Sequence, residues 1–283
     1  MKTLIEVLKL ATEYLRKSRD LQARRHAEDL LAHVLKIARL DLYLQFDRPL
    51  DEGELESYRA LLKRKGKGEP LEYIVGEMLF YHCPILVTPA VLIPRPETEI
   101  LLDMVCSRLK TVALSGKVAW DVCSGSGCLG IGLKKQFPGL KVTLSDLSHE
   151  ALALAQKNIE KNGVDVETLQ GDLLMPFEGH KADFILCNPP YVSLKEFEKL
   201  DLSVASFEPR MALVGGGERG EAFYQRLSQE LPSYLNSGAE VFLEIGEAQG
   251  ELVQDLFTES CWRGKSLKSD WAGRDRFFFL EFQ

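Results

Sequence analysis

The stretch FILCNPPYVS, residues 184–193, decides how this chain is read. Four apolar residues in succession, Phe184 to Cys187, have the pattern of a strand buried on both faces. The strand cannot continue past them, because proline offers no N–H to a ladder and its φ is fixed. Asn188 precedes a proline and is pushed into the extended region, and Pro189 is restricted both by its own ring and by Pro190. The expected result is a short, stiff platform at the carboxyl end of a buried strand. It carries one amide side chain, Asn188, and one aromatic ring, Tyr191.

Around this platform the chain alternates strand and helix. Strands are expected at 118–121, 141–146, 166–170, 184–187, 240–245 and 276–282, and helices at 127–137, 149–162, 222–235 and 250–257. Ser148 is placed to cap the second of these helices and Gly163 to end it. Such alternation predicts an α/β fold with a parallel sheet covered on both faces, and ligands then bind at the carboxyl ends of the strands. Upstream, residues 1–75 read as helices. Leu4, Leu8, Ala11 and Leu15 share one helical face, and Ala27, Leu30, Leu31, Val34 and Leu35 share another. Asp51 and Glu54 have capping-box spacing before Leu55, Tyr58, Leu61 and Leu62. GKGEP, 66–70, breaks the pattern. A strand-like segment at 78–87, interrupted by His82, Cys83 and Pro84, suggests a hairpin. The expected organisation is a helical substrate-recognition domain at 1–75, a hairpin connector at 76–96 and a catalytic domain at 97–283.

The 283 residues are 45% hydrophobic and 27% charged, as in a folded globular protein. The net charge of −7 is uneven. Residues 1–75 hold 15 Lys and Arg against 13 Asp and Glu, and the remainder holds 20 against 29. Direct nucleic-acid binding is not expected, because neutralising phosphates needs a basic stripe. Six scattered cysteines form no C-x-x-C pair and no zinc spacing, so reduced core thiols, no metal and a cytoplasmic location are expected. The first residues are amphipathic and carry acids, unlike a signal peptide, and no apolar run approaches the ~18 residues that span a membrane. A monomer is expected.

The first strand of the alternating part ends in DVCSGSGCLG, 121–130. Short residues between a strand and a helix let a ligand approach the backbone and the helix N-terminus. Gly125, Gly127 and Gly130 match G-x-G-x-x-G, and Asp146 follows Gly125 by 21 residues at the end of the next strand, where an acid can accept two ribose hydroxyls. The loop alone fits a dinucleotide, S-adenosylmethionine or a mere tight turn. Asp121 bears on the choice: an acid there suits a ligand with an α-amino group or a sulfonium and repels a pyrophosphate. Asp172, with Leu173 after the third strand, could border an adenine.

A methyl donor across the strand ends would put NPPY beside its sulfonium. A planar amide or aromatic amine is a poor nucleophile that such a platform can handle. The Asn188 side-chain oxygen and the Pro189 carbonyl can accept both N–H bonds of a primary amide. Those bonds strengthen as the nitrogen becomes tetrahedral and positive. Tyr191 can stack on the planar group.

With these motifs in view, the chain resembles the HemK/PrmC family of peptide chain release factor glutamine methyltransferases over nearly its whole length. The resemblance rests on LIPRPETE at 92–99, NPPY at 188–191, SFEPRMAL at 206–213 and the helical N-terminal part. NPPY alone is shared with amino-methyltransferases of several kinds. A similar family that methylates a ribosomal-protein glutamine typically lacks the intact P-R-P-E-T-E run. The resemblance implies a class I S-adenosylmethionine-dependent methyltransferase fold, with a seven-stranded sheet whose last strand is antiparallel, and a helical domain that helps bind the release factor. The acceptor would be the glutamine of the Gly-Gly-Gln motif of class 1 release factors, in translation termination, with S-adenosylhomocysteine as co-product. Cys123, Ser124, Gly125, Ser126, Gly127, Asp146, Leu173 and Asn188 would contact the cofactor, and Asn188, Pro189, Pro190 and Tyr191 would hold the glutamine. Two residues depart from the family pattern: Cys123 stands where a glycine is usual, and Leu173 where an aromatic residue is frequent.

Arg95 and Glu97 could organise the site or pair with each other or with the helix N-terminus, and Glu208 could order a loop over it. Three other readings stand beside this one. They are methylation of a ribosomal-protein glutamine or a nucleobase amine, a dinucleotide oxidoreductase, and a non-catalytic binding protein whose pocket Cys123 has spoiled.

Overall fold

A computed structural model describes residues 2–283. Contacts divide the chain into two units, one reaching up to Glu77 and including Asp201–Phe207, the other comprising Met78–Leu200 and Glu208–Gln283. The first contains helices α1 (Leu4–Lys17), α2 (Ala23–Leu35), α3 (Glu52–Gly66) and α4 (Leu71–Val75). Its core is the apolar stripes read from the sequence: Leu4, Leu8, Leu15, Ala27, Leu30 and Leu31 are fully buried. Tyr58 is buried among them, and its hydroxyl satisfies the Ala27 carbonyl at 2.8 Å. The Asp51–Glu54 capping box is present, with Glu54 N–H donating to Asp51 Oδ1 at 2.8 Å.

Strands β1 (Glu77–Phe80) and β2 (Cys83–Leu86) form the hairpin, turning at Tyr81 and His82, both with positive φ. Helix α5 (Pro96–Leu109) follows. Next come β3 (Val118–Val122), α6 (Cys128–Gln136), β4 (Lys141–Asp146), α7 (His149–Asn162), β5 (Glu167–Gln170) and β6 (Ala182–Cys187). The hairpin is tied to α7 by two buried amides. Asn158 accepts from Leu86 N–H at 2.7 Å and donates to its carbonyl at 3.1 Å, and Asn162 donates to the Pro84 carbonyl at 2.9 Å. Short helices α8 (Leu194–Phe197), α9 (Leu202–Phe207) and α10 (Arg210–Leu213) lead to α11 (Ala222–Glu230), β7 (Leu235–Glu244), α12 (Gly250–Leu256), β8 (Trp262–Ser269) and β9 (Asp275–Phe282).

The second unit's main sheet has seven strands in the order β5-β4-β3-β6-β7-β9-β8. The first five run parallel, and β9 is antiparallel to both β7 and β8. The fold class is thus the expected one. Residue patterning found six of these strands and missed Trp262–Ser269. That edge strand is polar and carries Arg263, Lys265 and Lys268, as edges do to discourage further pairing. The helix expected at 222–235 ends at Glu230; Pro232 cannot continue it, and a 3₁₀ turn at Leu231–Tyr234 leads into β7. Ala182–Cys187 is buried at every position, as its apolar run requires. The order of strands reverses between β3 and β6, and a crevice opens at their carboxyl ends.

Candidate active site

The loop after β3 is held by its neighbours. Ser124 N–H donates to the Ser145 carbonyl at 2.9 Å, and Gly125 N–H donates to Asp146 Oδ2 at 2.8 Å. Asp146 Oδ1 accepts from Ser148 N–H at 2.9 Å, so this carboxylate ties the loop to the start of α7. Gly127 has φ 79°, and a Cβ on it would lie 2.8 Å from a Leu144 methyl. At Gly130 a Cβ would meet another Leu144 methyl at 2.2 Å and Asp121 at 3.2 Å. Helix α6 therefore lies close enough for Gly130 N–H to donate to Asp121 Oδ2 at 2.8 Å.

Asp121, Ser124, Gly125, Ser145, Asp146 and Ser148 border an open cleft that also takes in Asp172, Leu173, Asn188 and Pro190. Three of its lining polar atoms, Asp121 Oδ1, Ser124 Oγ and Ser145 Oγ, are buried without a hydrogen-bond partner. Uncompensated polar burial of this kind is costly and marks where a ligand's polar groups belong. Burial pushes the Asp121 carboxyl up to about 7 against the help of the Gly130 N–H, with the Asp146 charge adding to the rise. Burial raises Asp146 as well, opposed by the N–H groups of Ser148 and Gly125. An unpaired acid and a carboxylate with spare lone pairs in one apolar-walled cleft fit an amino-acid-bearing nucleoside such as S-adenosylmethionine.

Cys123 takes φ 59°, a left-handed conformation ordinarily left to glycine, and lines the cleft. Leu173 is similar at φ 53°. Asp172 lines the cleft too, but its carboxylate is held by Arg226 at 2.9 and 3.0 Å. Ser126 and Gly125 border the space, whereas Gly127, Pro189 and Tyr191 are set back from its wall.

The amide of Asn188 is fixed from below. Its Nδ2 donates to Thr98 Oγ1 at 3.3 Å, and Thr98 donates to Glu244 Oε2 at 2.7 Å. A hydroxyl has one proton. With that proton donated to the Glu244 carboxylate, Thr98 can only accept from Asn188, which leaves Asn188 Oδ1 as the free acceptor. Tyr191 donates to the other carboxylate oxygen, Glu244 Oε1, at 3.4 Å. Burial and the Glu244 charge raise the Tyr191 phenol, so it remains a donor.

The chain matches the family described as the PrmC N-terminal domain over residues 6–76 and the methyltransferase small domain over residues 97–208. It is 42% identical to a protein of Chlamydia trachomatis named release factor glutamine methyltransferase, over 98% of this chain and 94% of that one. A Bacillus subtilis protein of the same name is 37% identical, over 98% and 96%. The chain belongs to the release factor glutamine methyltransferase family. A methyltransferase structure from Pyrococcus furiosus, at 20% identity and a TM-score of 0.52, covers 70% of this chain and 87% of its own and shares the fold.

Asp121, Asp146 and Asn188, singled out in the sequence, border one cleft, whereas Thr98 and Glu244, 146 residues apart yet hydrogen-bonded, were not singled out. One signal was present: Glu244 is an acid set among apolar residues at the carboxyl end of a buried strand, as Asp121 is. Arg95 pairs with neither Glu97 nor the helix terminus; its guanidinium reaches Glu208.

Proposed function

We propose that this enzyme transfers a methyl group from S-adenosylmethionine to the side-chain amide nitrogen of the Gly-Gly-Gln glutamine of class 1 peptide chain release factors. The observation that carries the reading is the locked Asn188 amide, whose oxygen is left to accept at the rim of a cleft suited to the donor. Asp121 would take the cofactor's amine and Asp146 its ribose hydroxyls. The backbone of Cys123, Ser124, Gly125, Ser126 and Gly127 would bend around it, with Asp172 and Leu173 at the adenine. S-adenosylmethionine, when bound, supplies an electrophilic methyl group.

Asn188 Oδ1 and the Pro189 carbonyl would accept the two N–H bonds of the glutamine amide, with Pro190 stiffening the platform and Tyr191 setting the tilt of the planar group. Positive charge grows on the nitrogen during transfer, so these bonds strengthen where they matter. The residues at 1–75 would serve as the recognition domain for the release factor, with the catalytic domain at 97–283 joined by the hairpin segment 76–96. A substrate that works on the ribosome supports a cytoplasmic location for the reaction.

The test is methyl transfer from labelled S-adenosylmethionine to a purified class 1 release factor. A factor with alanine in place of its Gly-Gly-Gln glutamine and an Asn188→Ala enzyme serve as controls. Label should appear on the wild-type factor alone and fall by about 10²–10³ with Asn188→Ala, as when an oriented hydrogen-bonding group is lost. Label on a ribosomal protein or a nucleic acid instead would overturn the proposal.

A further inference from the structure

Glu244 is 1% exposed, at the end of β7, and does not line the cleft. Groups from several elements surround it. Helix α5 contributes the Thr98 hydroxyl and the charge of Glu97, the segment after β6 contributes the Tyr191 phenol, and β9 contributes the charge of Arg276. The Cys128 thiol of α6 feels its charge, and Tyr224 of α11 donates to its backbone carbonyl at 2.9 Å. An apolar residue here would leave the Thr98 and Tyr191 hydroxyls without an acceptor, and a glutamine would offer one acceptor and one donor. A carboxylate here does one thing those cannot: it accepts at both oxygens and donates at neither.

We propose that Glu244 is a positioning residue whose ionised carboxylate sets the direction of the chain Asn188→Thr98→Glu244←Tyr191, and thereby turns Asn188 Oδ1 toward the acceptor amide. The inference deepens the glutamine-methylation reading and rests on it. Protonation reverses the logic. A Glu244 O–H can donate to Thr98, Thr98 can then donate to Asn188 Oδ1, and the Asn188 amide flips. An NH₂ group would then face the N–H bonds of the acceptor, donor against donor. Burial and Glu97 favour the protonated form, while Thr98, Tyr191 and Arg276 oppose it, leaving the carboxyl at about 7. The active direction therefore holds above about pH 7 and is lost as pH falls through it.

Two measurements test this. In the first, kcat is followed from pH 5.5 to 8.5 at saturating cofactor and release factor. Wild-type enzyme should lose about tenfold per pH unit below about 7. Glu244→Gln should lack this limb and run about 30- to 100-fold slower at pH 8, with the KM for S-adenosylmethionine within about twofold. Thr98→Val should lose as much, the double variant no more than either single one, and Thr98→Ser should recover most of the rate. The second needs no acceptor: the ¹⁵N side-chain resonance of Asn188, assigned with Asn188→Asp, should shift with a midpoint near 7 in wild type and stay still in Glu244→Gln. An unmoved resonance in wild type, or a Glu244→Gln enzyme with the wild-type rate and limb, would overturn the inference. If wild type methylates no release factor while the resonance titrates as stated, the functional reading fails and the Glu244 relay stands.

Discussion

Arg95 Nη2 lies 2.5 Å from Glu208 Oε1, joining the entrance of α5 to a residue 113 positions later in the chain. The Glu208 side chain is 1% exposed, and its other oxygen accepts from Ile93 N–H at 3.2 Å. The pair thus pins the segment before α10, whose Pro209, Met211 and Ala212 border the cleft. Removing Arg95 leaves a buried carboxylate with one backbone donor. Arg95→Met should destabilise the protein by roughly 2–4 kcal/mol, below the full cost of breaking a buried pair because Arg95 is one-third exposed. Urea unfolding checks this, and a loss under about 0.5 kcal/mol would mean that the pair is ornamental.

The platform's backbone is buttressed by glycines. A Cβ on Gly220, at φ 79°, would lie 2.0 Å from the Tyr191 carbonyl oxygen, which already accepts from Gln249 Nε2 at 2.9 Å. Gly220→Ala should push Tyr191 out of place and cut kcat by about 10²-fold, the penalty for misplacing reactive groups by about 1 Å. Gly238→Ala is the matched control, with φ 76° and nothing within 4 Å. It should cost only backbone strain of about 1–2 kcal/mol and leave kcat alone. Equal kcat losses in the two variants would show that strain, not the platform, is responsible.

The legible parts of this fold were those with local causes. Apolar runs gave β3, β4 and β6 because parallel central strands bury both faces, and parallel strand ends are where ligands bind, so Asp121, Asp146 and Asn188 could be placed together from sequence. Trp262–Ser269 was invisible because an edge strand pairs on one side and is written in polar residues. The grouping of Asp201–Phe207 with the first unit follows from chain return, which no linear division can express. Arg95, Thr98 and Glu244 were individually present, but their roles depend on partners more than 100 residues away.

Cys123 offers a chemical handle on the cleft. Among the six cysteines it and Cys261 are partly exposed, and the other four are buried. Only Cys123 and Cys128 line the cleft, and Cys128 is buried. Iodoacetamide should therefore modify Cys123 and Cys261, and saturating S-adenosylhomocysteine should slow modification of Cys123 at least about tenfold while leaving Cys261 unchanged. Peptide mass spectrometry reads both sites in one sample. Equal rates at Cys123 with and without the nucleoside would place the cofactor elsewhere.

Asp121 makes cofactor binding a proton-linked event. Its carboxyl sits at about 7, raised by burial, with Oδ1 unpartnered. An ammonium group beside that oxygen favours the ionised form, so below about pH 7 binding must expel a proton. Affinity for S-adenosylmethionine should thus rise by up to about tenfold per pH unit from pH 5 to 7 and level off above. The ligand-free protein should behave oppositely. A carboxyl whose folded value is raised holds its proton while the unfolded chain releases it near pH 4, so its stabilising effect is full below about 4 and fades as pH rises through about 7. Calorimetry in buffers of different ionisation enthalpy should count close to one proton released at pH 6 in wild type and none in Asp121→Asn. If Asp121→Asn keeps the wild-type proton release and affinity, the amine does not sit at Asp121.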